Sequence, residues 1–116
     1  MSEASEQEAL FAWAEWESRT RWELSMMYHI PNGGRRDVIE AAHLKKQGVK
    51  PGVPDICLPV ARSGKHGLYI EMKVGKNRPT ENQDRWLRML AMQDYAVAVC
   101  YGFEDAKNTI LEYLKN

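Results

Sequence analysis

The sequence predicts a small α/β domain, a mixed central β-sheet flanked by helices, and three observations predict it. Apolar-rich runs at 54–60 and 68–74 are separated by Ala61-Arg62-Ser63-Gly64-Lys65-His66-Gly67, a polar stretch whose two glycines suit a hairpin loop. A third run at 95–101, YAVAVCY, alternates small and branched apolar residues between two helical patterns and reads as a buried strand. Apolar residues recur at helical spacing at the start of the chain and on either side of that strand. With 116 residues the chain suffices for one domain, 1–116, and is too short for two.

The elements follow in order. Ser5 can cap the first helix and Glu8 complete a capping box, with Leu10, Trp13 and Ala14 as the apolar stripe to about residue 18. Glu6 precedes Leu10 by four and Trp13 by seven, so it shares their inward face. Residues 22–30 turn strand-like until Pro31-Asn32-Gly33-Gly34 breaks them. His29 in that run reads as a structural residue. A short helix is expected over 37–47, with Val38, Ala41, Ala42 and Leu44 inward and Gly48 as its C-terminal stop. Residues 49–53 then form a stiff loop leading to Asp55. Beyond the hairpin, Gly75-Lys76-Asn77-Arg78-Pro79 is a basic loop. Thr80 and Gln83 form a capping box, and Trp86, Leu87, Leu90 and Ala91 are the stripe of the helix they open. The last helix spans 103–114, with Ala106, Ile110, Leu111 and Leu114 inward.

The hairpin carries the chemistry. Asp55 lies near the start of one strand, and Glu71 and Lys73 near the end of the next, so an antiparallel pairing brings them together. Glu71 and Lys73 are two apart and point to the same face. Two adjacent carboxylates repel, and an oxygen-ligated divalent cation, magnesium or manganese, relieves that repulsion. Lys73 would orient a water or stabilise developing negative charge. These parts suit hydrolysis of a phosphodiester. Taken singly, a Pro-Asp pair or a Glu-x-Lys strand edge is commonplace; the force of the pattern is that both fall at matched strand ends.

Charge and composition fit. The net charge is zero, but residues 1–34 carry −4, residues 35–78 carry +6 and residues 79–116 carry −2. Positive charge is thus concentrated around the proposed site, as phosphate binding requires. Arg35, Lys50, Lys76 and Arg78 are candidate backbone contacts, with Asn32 and the amides of Gly33 and Gly34, although a plain turn explains the latter three equally well. Lys45 and Lys46 serve either DNA or the dipole of their own helix. Gln83 serves either its cap or the site. Cys57 and Cys100 lack zinc spacing and read as buried thiols. No apolar run approaches the ~20 residues of a membrane span. The N-terminus is acidic and unlike a secretory leader, so a cytoplasmic setting is expected. No glycine-rich nucleotide-binding loop occurs, and no nucleotide cofactor is expected.

Several of these segments together resemble a known family. Glu6-Gln7 in an acidic first helix, IPNGG at 30–34, GVKPGVPD ending at Asp55, IEMK at 70–73 and the Thr-x-x-Gln helix with QDRWL at 83–87 resemble the virus-type replication-repair nuclease (VRR-NUC) domain of the PD-(D/E)XK superfamily. The resemblance spans nearly the whole chain in order and spacing. It implies a restriction-endonuclease-like core and a magnesium- or manganese-dependent DNA endonuclease. Asp55, Glu71 and the backbone carbonyl of Met72 would be metal ligands, Lys73 the catalytic lysine and Gln83 an assisting group. An extra acidic ligand from the first helix is implied, assigned to Glu6 with Glu3 and Glu8 as alternatives. The resemblance further implies a homodimer acting on branched DNA such as four-way junctions. Two other readings remain: a non-catalytic nucleic-acid-binding module, and a nuclease for flaps or linear duplex.

Overall fold

The computed structural model of the chain describes residues 1–31 and 38–115. Helix α1 (Glu3–Glu17) is followed by a 3-10 helix (Trp22–Met26), then β1 (Tyr28–His29), α2 (Val38–Lys46), β2 (Ile56–Leu58), β3 (Leu68–Lys73), α3 (Glu81–Met92), β4 (Ala96–Tyr101) and α4 (Phe103–Leu114). The strands form one sheet in the order β1-β2-β3-β4. β1–β2 and β2–β3 are antiparallel, whereas β3–β4 is parallel. This is the mixed sheet with flanking helices that the sequence predicts. The parallel pair follows from inserting α3 between β3 and β4, since parallel neighbours need a crossover.

Strand alternation decides the two faces of the sheet. Ile56, Leu58, Leu68, Ile70, Met72 and Cys100 are buried with Leu10 and Ala14 of α1 and Ala106, Ile110 and Leu114 of α4. α3 packs on β4 at the opposite edge of the sheet from β1, with Leu87 buried. Cys57 and Cys100 are buried free thiols, as expected. Among the described residues, no helix is long and apolar enough to cross a membrane.

Three local expectations are corrected. α1 begins at Glu3, because Ser2 rather than Ser5 is the cap: the Ser2 hydroxyl accepts from Ser5 N, and Ser5 Oγ accepts from Ser2 N. The Ser-x-x-polar spacing occurs twice, and the outer copy adds nearly a turn of helix. The strand expected over 22–30 shrinks to two residues, because Trp22–Met26 coils into a 3-10 turn that buries Leu24. α2 has no buried residue: Val38 and Ile39 are 85% and 73% exposed, and Ala41 and Ala42 lie open as well. Its apolar residues do not form the inward stripe expected of them. Its C-terminal stop holds, with Gly48 at φ 105°.

Candidate active site

Asp55 is fixed through both its backbone and its side chain. Pro54 before it is fully buried. The Asp55 carbonyl accepts from Ile30 N at 2.7 Å and is 2.8 Å from His29 Nδ1, so β1 clamps the residue from the edge of the sheet. Its Oδ2 accepts from Met72 N at 2.7 Å. The β2–β3 register pairs Ile56 with Ile70, which sets Asp55 opposite Glu71 one step further on.

The loop leading to Asp55 is docked on α3. Asn82 Nδ2 donates to the Pro51 carbonyl at 2.9 Å. Gly52 has φ 91°, and a Cβ there would lie 2.9 Å from the Asn82 side chain and 3.0 Å from its backbone carbon. Gly52→Ala is therefore expected to cost about 1–3 kcal/mol through backbone strain and to move the Asp55 loop off α3. A urea titration measures the first effect, and hydrogen-exchange protection of the Ile30 amide, which donates to the Asp55 carbonyl, measures the second.

Glu71 is 2% exposed and Lys73 7% exposed. Lys73 Nζ is 3.8 Å from Glu71 Oε2. Glu71 Oε1 is buried without a hydrogen-bond partner among the described residues. Burial, then the charge and hydrogen bonding of Asp55, push the Glu71 carboxyl from its ordinary 4.5 up to about 8, with Lys73 opposing and Glu3 adding to the rise. The strand pair thus delivers two facing carboxylates and an ammonium to one place, with more negative charge than the lysine offsets.

The N-terminal glutamates divide their work. Glu3 is the one whose charge reaches Glu71. Glu6 turns to α4: its Oε1 accepts from Phe103 N at 2.9 Å, satisfying a helix N-terminus. Gly102 makes room for it, since a Cβ there would lie 3.0 Å from that oxygen. Gly102 N in turn donates to the Lys73 carbonyl at 3.0 Å, so this cap sits beside the end of β3. Glu8 is exposed. Glu6→Gln keeps the accepting oxygen and is expected to leave the melting temperature nearly unchanged. Glu6→Ala is expected to cost about 1 kcal/mol, read from the same thermal melts.

Gln83 occupies the predicted capping box: its Oε1 accepts from Thr80 N at 2.9 Å, and its own N–H donates to Thr80 Oγ1 at 3.1 Å. The sequence reading missed Tyr101, which is paired in register with Lys73. Its hydroxyl donates to the Asn77 carbonyl at 2.8 Å and so orients the basic loop bearing Lys76 and Arg78. No pattern in the chain marks that bond, because it joins a strand end to a loop carbonyl. Lys50, Lys76 and Arg78 are exposed. Asn32, Gly33, Gly34 and Arg35 lie outside the described residues.

A divalent cation suits this donor set. Among the described residues no three His, Cys, Asp or Glu side chains gather to hold an ion by themselves. Magnesium does not need that: it is commonly held by one or two carboxylates and keeps several waters. The orphaned oxygen of Glu71, a residue set opposite Asp55 by the strand register, is the feature a cation would satisfy.

Comparison with known proteins agrees with this fold. No curated protein matches the chain. A solved structure described as a VRR_NUC domain protein superposes with a TM-score of 0.81 at 30% identity, covering 99% of this chain and 89% of that one. The family model for the VRR-NUC domain matches residues 1–104. On that match, the chain belongs to the VRR-NUC domain family, a nuclease-type domain.

Proposed function

We propose that the protein is a magnesium- or manganese-dependent DNA endonuclease that hydrolyses phosphodiester bonds in branched DNA, four-way junctions included, as a homodimer. The observation that carries the catalytic part is the buried Glu71 carboxylate, with one unpartnered oxygen, set beside Asp55 and within 3.8 Å of Lys73. Asp55, Glu71 and the Met72 carbonyl would hold the cation, with Glu6 of α1, whose Oε1 caps α4, supporting the shell. When bound, the ion would lower the pKa of a water and stabilise charge on the phosphoryl oxygens.

The chain's own residues do the rest. Asp55 is kept in place by Met72 N and by the β1 clamp on its carbonyl. Lys73 orients the attacking water and stabilises the negative charge that grows on the phosphate. Gln83, whose oxygen is committed to Thr80, would offer its amide N–H groups to the water or the phosphate. Lys50, Lys76 and Arg78 would hold the DNA backbone, which makes binding salt-dependent. Branch specificity and the dimer rest on the family resemblance; a two-fold pair of sites would cut two symmetric strands.

The test is cleavage of a labelled four-way junction, a flap and a linear duplex, each with magnesium, manganese or chelator, by wild type and Asp55→Ala. Paired symmetric cuts in the junction, absent with chelator and in the variant, are the expected result. Cutting confined to the flap or the linear duplex would replace the junction reading. Tight DNA binding without metal-dependent cutting of any substrate would sink the enzyme and leave a binding module.

A further inference from the structure

The face of the sheet that carries Asp55 and Glu71 continues one register row further into an aromatic row. Tyr28 of β1 pairs with Cys57 of β2, which pairs with Tyr69 of β3. Tyr69 meets Tyr95 edge to face, with ring centroids 5.2 Å apart. Cys57 lies between the two tyrosines in this row. Cys57 is 3% exposed, whereas Tyr28 is 48% exposed. Nearly half of the Tyr28 surface is thus open to solvent. α3 packs on β4, at the other edge of the sheet from β1.

The position of this ring matters more than its exposure. Asp55 is two residues beyond Cys57 on the same face of the same chain segment, about 6.6 Å along it, and Tyr28 is one strand to the side. By those spacings the Tyr28 and Asp55 backbones lie roughly 8 Å apart, with both side chains on one face of the sheet. A phosphate at Asp55 and Glu71 would bring the neighbouring base over Tyr28. Every base has a π-face that stacks on an aromatic ring, but a base held in duplex already uses both of its faces.

We propose that the ring of the exposed Tyr28, one register row from the Asp55–Glu71 pair, is a stacking subsite for an unpaired base next to the scissile phosphate. The inference rests on the nuclease reading and deepens it. It gives a physical source for a preference for branched or flapped DNA, since only such substrates present an unstacked base beside the cut.

The experiment compares wild type with Tyr28→Phe, Tyr28→Trp and Tyr28→Leu, each checked for an unchanged melting curve. The probe is a flap or junction oligonucleotide carrying 2-aminopurine at unpaired positions beside the branch, with a fully paired duplex as control. Binding is read with chelator present, so that fluorescence reports stacking without cleavage. Wild type, Tyr28→Phe and Tyr28→Trp should quench the probe, and Tyr28→Leu should not. In cleavage, Tyr28→Leu should lose about 10-fold in kcat/KM on the unpaired-flank substrate, in line with the loss of one base–aromatic stack, and less than two-fold on paired duplex. Equal quenching by Tyr28→Leu, no quenching by wild type, or an equal loss on both substrates would overturn the proposal. So would a loss of self-association in place of quenching, which would make the ring a contact between copies. If wild type cuts nothing, the nuclease reading falls separately, and the quenching still decides the subsite.

Discussion

Glu71→Gln is expected to abolish cleavage and at the same time make the metal-free protein more stable at pH 8. The two effects come from one cause. Glu71 is buried beside Asp55, and its carboxyl is pushed up to about 8. A carboxyl raised above its unfolded value binds its proton more tightly in the folded state. The stability from that proton is fully present below about 4.5 and is lost as pH rises through about 8. At pH 8 the folded protein therefore carries a penalty on the order of 3 kcal/mol, after allowance for relaxation around the charge. Glutamine removes the ionisable group, so the variant should melt at a nearly constant temperature between pH 5.5 and 8.5, where wild type loses stability. Magnesium or manganese should raise the wild-type melting temperature at pH 8 and leave the variant where it was. Thermal melts over that pH range, with and without metal, measure both arms. A wild type whose melting temperature is flat across the range would remove the argument for a strained carboxylate pair.

That pair was legible in the sequence because strand alternation is a strict period of two. Once 54–60 and 68–74 are paired as a hairpin, Asp55, Glu71 and Lys73 have no choice of face. The order of α3, β4 and α4 was legible for a similar reason: Thr80-x-x-Gln83 and the 95–101 run are local signals with local causes, and α4 falls at Phe103–Leu114 as expected. What failed depended on partners far away in sequence. Val38 and Ala42 look like an inward stripe, but nothing in the local spacing says whether a core is there to receive it, and α2 stands free of one. Glu6 lies on the inward side of α1 as the spacing requires, yet its target is Phe103 N, a donor 97 residues away. A helix-face argument yields a direction, and only the packing of α1 beside α4 supplies the partner.

The second large effect is expected at Lys73, and it separates the lysine's two roles. Lys73→Met keeps most of the buried stem and removes the ammonium 3.8 Å from Glu71 Oε2. Cleavage should fall by roughly 10²–10⁴-fold, the usual scale for losing a positioned acid–base group, with little change in DNA affinity, because a residue 7% exposed offers few contacts to the backbone. The same change acts on Glu71. Lys73 is the group that pulls the Glu71 carboxyl down against burial and Asp55, so without it the carboxyl should titrate still higher. The sign follows: in Lys73→Met the loss of stability with rising pH should extend above pH 8 instead of levelling off there. Lys73→Arg keeps the charge but not the compact ammonium and its freely rotating donors. It should restore much of the wild-type pH–stability curve and little of the activity. A Lys73→Met protein that cuts normally would remove the lysine from the chemistry. One that does not cut, but whose pH–stability curve matches wild type, would leave it catalytic and sever it from the electrostatics of Glu71.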